Sequence, residues 1–141
     1  MPRRADLATV RVRQPHRYEW LWEPLADDAT FVLRAMFGAK AAYLDGKLML
    51  CFCAGEEPWR GVLVCTGHEH HDALRTDFPE LAPHPILPKW LYLPESAGRF
   101  ETVAGKLVTL AKHRDPRLGV TPSARKRKKV TGRRGPRQPP V

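Results

Sequence analysis

Residues 68–72, His-Glu-His-His-Asp, place three histidines and two carboxylates within five positions. Imidazole nitrogens and carboxylate oxygens are ligands that zinc and related divalent ions accept, so a metal centre is one chemistry this run can carry. Three cysteines add sulfur donors: Cys51 and Cys53 at alternate positions, and Cys65 just ahead of the histidines. Cys51, Cys53, Cys65 and His68 would make a tetrahedral set of three thiolates and one imidazole, with Cys65 and His68 at the Cys-x-x-His spacing of such sites. Against this, a Cys-x-Cys pair on a strand holds its sulfurs further apart than the tight turn of a zinc knuckle, and its neighbours here are apolar. The competing reading is a helix start. Thr66 or Gly67 caps it, Glu69 and Asp72 suit its positive end, and the histidines stand in water. That reading is preferred, with transition-metal affinity as a side effect.

Other catalytic patterns fail on their own terms. His68-x-His70-x-Asp72 resembles the opening of metallo-β-lactamase-type metal sites, but Ala73 stands where the next histidine belongs. The later histidines are only His84 and His113, and the chain is short for that fold. A nucleophile pair of Cys65 and His68 has no third group placed by any spacing. There is no Gly-x-Ser-x-Gly elbow and no phosphate-binding glycine loop ending in Lys-Ser/Thr. Glu56 and Glu57 precede Pro58 and read as solvated turn acids. No catalytic residue is assigned and no cofactor is expected.

Charge is the stronger signal. The net charge is +9, yet Arg125, Lys126, Arg127, Lys128, Lys129, Arg133, Arg134 and Arg137 supply eight of the 24 bases, in a stretch with no acid. The remainder carries 16 bases against 15 acids. Such a segment, poor in apolar residues, is expected to stay unfolded and to seek a polyanion through counterion release. If all eight cations met phosphates, the log–log salt slope would approach roughly −6 to −7. The tail has no aromatic residue on which a base could stack. The expected partners are nucleic acid or an acidic protein. A membrane is not expected, because the tail lacks an apolar anchor. The sequence has no apolar run long enough to span a bilayer and no signal-like start, so a cytoplasmic chain with reduced, buried thiols is the expectation.

The elements that would position these residues follow from pattern. Residues 1–16 read as an arm, 17–120 as a single domain, and 121–141 as the basic tail. Tyr18, Trp20 and Trp22 fall at strand spacing, which predicts an extended segment laying its rings on the core. Ala-Asp-Asp-Ala-Thr-Phe-Val-Leu-Arg-Ala-Met-Phe-Gly, residues 26–38, predicts a short helix capped by Asp27 or Asp28 and ended by Gly38. Residues 39–53 predict a hairpin about the type I′ turn Asp45-Gly46. Residues 59–66 supply a third strand, completing an antiparallel meander. A short helix follows to Pro79, then a proline-rich irregular stretch, then a strand ended by Pro94. Phe100, Val103, Leu107, Leu110 and Ala111 form the stripe of a closing helix. Trp20, Trp22, Trp59, Trp90 and the run Pro-His-Pro-Ile-Leu-Pro at 83–88 offer one more candidate surface, for a small ligand or a protein.

Residues 34–50, RAMFGAKAAYLDGKLML, resemble the opening of the N-terminal domain of TfoX-like proteins. There an Arg-x-Met-Phe-Gly run leads into a strand ending Tyr-x-Asp-Gly-Lys. Residues 89–113 look like that family's strand, proline and closing helix, and the likeness covers roughly residues 28–114. It departs at Ala39, Lys40, Ala41 and Ala42, where the family usually has glycines, and the histidine-bearing middle has no counterpart. The resemblance implies an α+β fold, an antiparallel meander with packed helices, with Met36, Phe37, Gly38, Tyr43, Asp45 and Gly46 as fold determinants. It also implies a link to competence regulation and no established catalytic residues. The functional expectation is a non-enzymatic regulatory or adaptor protein contacting nucleic acid through its tail. The alternative is a zinc-stabilised or metal-dependent module built on Cys51, Cys53, Cys65, His68 and the 68–72 cluster.

Overall fold

A computed structural model of the chain describes residues 16–36 and 38–121. The expected arm, apart from His16, and the eight tail cations lie outside the described residues. The fold is α+β, as the pattern predicts. Six strands form one antiparallel sheet: β1 (Val32–Met36), β2 (Ala39–Leu44), β3 (Lys47–Ala54), β4 (Arg60–Val64), β5 (Ala82–Pro83) and β6 (Leu91–Pro94). Their spatial order is β1-β2-β3-β4-β6-β5. The helices are α1 (Glu19–Trp22), α2 (His71–Asp77) and α3 (Phe100–Lys112). No described helix is long and apolar enough to cross a membrane.

The predicted hairpin, third strand, α2, β6 and α3 are all present. Asp45 and Gly46 both take positive φ, 55° and 79°, the pairing that a type I′ turn needs to match strand twist. Two expectations are overturned. The segment at Tyr18–Trp22 is a helix running into a 3₁₀ turn (Glu23–Leu25), not a strand. Its buried residues are Tyr18, Leu21, Trp22 and Leu25, which recur at helical spacing, while Trp20 is 47% exposed. Tyr18 and Trp22, four residues apart, share the buried face with the leucines, and only Trp20 breaks the expected aromatic row.

The helix expected at 26–38 is a turn followed by strand β1. Asp28 caps the turn: its Oδ1 accepts the Thr30 N–H at 2.9 Å and the Thr30 hydroxyl at 2.7 Å. Val32–Met36 then pair residue by residue with Tyr43–Ala39, so Gly38 turns between two strands instead of ending a helix. The local apolar pattern fits either state, and the partner strand decides. A smaller correction falls in the proline-rich stretch, where Ala82 and Pro83 form a two-residue edge strand against β6.

Strand β3 is buried on both faces. A bulge between Ala42 and Tyr43 leaves Met49 as an extra residue opposite β2. Met49 and Leu50 consequently both join the cluster that packs beneath α1 and α3, with Phe52, Val62, Leu93, Phe100, Val103 and Leu107. Leu48, Cys51 and Cys53 join a second cluster with Leu63, Cys65 and Tyr92, flanked by Trp59, Leu87, Trp90 and Val120. One inserted residue therefore places Cys51 and Cys53 in the layer opposite α1 and α3.

Candidate functional site

The chain from 115 to 121 is strapped to the body. Leu118 is buried, and the Thr66 hydroxyl donates to the Arg117 carbonyl at 2.6 Å. Gly119 N–H donates to Cys65 O at 2.8 Å, and Leu48 and Val120 exchange both backbone bonds at 2.9 and 3.0 Å. The strap fixes the position of Val120, five residues before Arg125.

Beside Val120 lies a recess of about 320 Å³, lined by His68, Ile86, Leu87, Pro88, Lys89, Trp90 and Val120 itself. Its main wall is the loop 84–90, and His84 holds that wall. His84 is fully buried; its Nδ1 accepts the N–H groups of Ile86 and Leu87 at 3.0 and 3.1 Å. A nitrogen that accepts two donors carries no proton, so Nε2 does, and it donates to Pro58 O at 2.7 Å. The ring also packs on Trp59, centroids 4.4 Å apart, and edge-on to Tyr92 at 5.2 Å. From outside, His71 Nε2 bonds the Lys89 carbonyl at 2.8 Å. The loop is thus pinned at both ends, with Ile86 59% exposed at its tip.

The histidine run opens α2 as a helix start, through a 3₁₀ turn over His68–His70. His68 is exposed and its ring lies 5.0 Å from that of His71. Cys51 and Cys65 are brought together, sulfur to sulfur 3.9 Å, both fully buried in the second layer with Cys53. Burial raises the Cys65 thiol far above its ordinary range and pushes Cys53 up to about 12. Both shifts disfavour the thiolate that a nucleophile at Cys53 or Cys65 would need. Among the described residues no three histidine, cysteine or acidic side chains stand together as a metal-binding group.

A larger, polar cleft of about 470 Å³ lies at the other end of the sheet, around Arg17, Tyr18, Glu95 and Arg99. Its carboxylate is already engaged. Glu95 accepts Tyr18 Oη and Arg17 Nε at 2.7 Å each and Arg60 Nε at 2.8 Å. Those bonds hold it down at about 2, while burial pushes Tyr18 up to about 12. Neither of these two groups is poised to exchange protons near neutrality.

Sequence reading missed Lys89 and Val120 as site residues, and named His84 only as part of the run 83–88. The proline-rich run signalled a loop, but nothing in it says which side chain folds inward. Of the tryptophan surface, Trp90 reaches the recess; Trp22 is buried beneath the helices, and Trp20 lines the polar cleft. Comparison of the chain with protein-family models, curated proteins and solved structures yields no match.

Proposed function

We propose that this protein is a non-enzymatic adaptor, TfoX-like in its body, that contacts nucleic acid through its basic tail. The observation that carries the reading is the partition of charge. Residues 16–121 hold 12 Lys and Arg against 14 Asp and Glu, a net of −2, whereas 125–141 hold eight bases and no acid. Within the body, Arg17, Arg60, Arg99, Arg114 and Arg117 are paired with Glu95, Glu80, Asp28, Asp45, Asp77 and Asp115. Such surface pairs add little stability, but they neutralise the field that a phosphate backbone would feel. The polyanion-seeking charge is then concentrated in the stretch 125–141.

A retardation assay on the full chain and on a chain stopped at Ser123 tests this. The full chain is expected to retard duplex DNA with a log–log salt slope of roughly −6 to −7, and the shortened chain to lose that binding. Equal affinity in the two would end the tail assignment.

A further inference from the structure

We infer that the recess beside Val120 seats one unpaired nucleobase, so that the protein prefers single-stranded nucleic acid to duplex. The inference rests on the polyanion reading above and adds the class of strand. Four observations lead to it.

The recess is lined by two aromatic residues, Trp90 and His68, together with the apolar residues Ile86, Leu87, Pro88 and Val120. Single-strand sites are built this way, because every base has a π-face that aromatic groups can meet regardless of sequence. Its rim carries a cation, the exposed Lys89. The backbone bonds between Val120 and Leu48 fix the start of the tail at the recess wall, and Arg125 follows five residues later. Five residues reach at most about 17 Å, so the first tail cations can meet phosphates on either side of a base held in the recess. The wall is also built in advance. His84, Pro58 and His71 hold loop 84–90 without a ligand, so little ordering is needed on binding. A duplex keeps its bases stacked and offers only phosphates; it would engage the tail and leave the recess empty. The tail alone has no aromatic group, so a preference between strands must come from the body.

The test uses the full chain with two fluorescein-labelled probes, an oligothymidine of about 20 nucleotides and a mixed-sequence duplex of the same length, at one salt concentration. The oligothymidine is expected to bind about tenfold tighter. It should also shift the Trp90 indole N–H resonance, and the duplex should not. Ile86→Glu places a carboxylate on a side chain that is 59% exposed, where folding does not depend on it. That variant is expected to lose the tenfold preference while keeping duplex affinity within about twofold. Equal affinity for both probes with an unmoved Trp90 resonance overturns the inference and leaves the tail reading intact. Failure of the full chain to bind either probe overturns both. A Trp90 shift on adding a short peptide of one leucine flanked by glutamates, with none from oligothymidine, assigns the recess to an acidic protein and also overturns the inference.

Discussion

His84 Nε2 lies 2.7 Å from the carbonyl oxygen of Pro58, so one buried bond joins two loops that are 26 residues apart in sequence. The ring's other nitrogen shapes the chain that follows it, and the recess wall depends on both contacts. Truncation by His84→Ala strands two backbone N–H groups and a carbonyl in a packed layer. A loss of about 2–4 kcal/mol is expected, read as a lower urea midpoint. His84→Asn keeps an acceptor near Ile86 and Leu87 but no longer reaches Pro58, and should cost about half as much. A midpoint that does not move in either variant would show that the loop is held by something else.

Acid should destabilise the fold in a defined window. Asp28 and Glu95 are both held at about 2, Asp28 first by the Thr30 hydroxyl and N–H and then by Arg114, Glu95 first by Tyr18 and then by Arg17 and Arg60. Asp45 and Asp115 are lowered by Arg114 and Arg117. For a carboxylate depressed in the folded state, the stabilisation is complete above its unfolded value, near 4, and is lost as pH falls towards 2. His16, lowered first by burial, already gives up stability as pH falls below about 6.5, so melting temperature is expected to decline mildly from there and more steeply below about pH 5, where the carboxylates are lost. Glu95→Gln should remove part of that slope. An identical pH profile in this variant would count against the Glu95 contribution.

The three thiols should be silent in the native state. Cys51, Cys53 and Cys65 are all buried from a reagent, and desolvation disfavours the Cys53 and Cys65 thiolates that would attack a disulfide. Ellman's reagent at pH 8 is expected to label none of the three in folded protein and all of them in urea. A chelator should leave the unfolding midpoint where it was. Fast native labelling of any one, or a chelator-induced fall, would contradict this placement.

Two glycines should differ sharply. A Cβ on Gly61 would run into the carbonyl oxygen of Leu93, where β4 pairs with β6, at a φ of +147°. Gly61→Ala should cost about 3 kcal/mol or more, because backbone cannot step aside as a side chain can. Gly46 also has positive φ, +79°, but open space around it, so Gly46→Ala should cost only about 1 kcal/mol. Denaturant midpoints of the two variants compare them directly, and similar losses would mean that backbone conformation alone, not contact, sets the cost.

Sequence by itself determined the elements whose signals are local. The Asp-Gly turn needs two positive φ values, the closing helix carries an unbroken stripe from Phe100 to Ala111, and proline ends α2 and β6. It also determined the separation of charge, since that is a count along the chain. It misassigned residues 18–22 and 26–38, where apolar residues fit more than one period and only a partner could choose. For Val32–Met36 the partner is β2, and for Leu21, Trp22 and Leu25 it is the core beneath α3. Only the tertiary structure decided that a bulge at Met49 sends Cys51 and Cys53 to the layer away from α1 and α3, that His84 turns inward, and that Val120 lies at the recess. Each of these depends on hydrogen bonds or packing between residues far apart in the chain, and no local spacing encodes which distant group will answer.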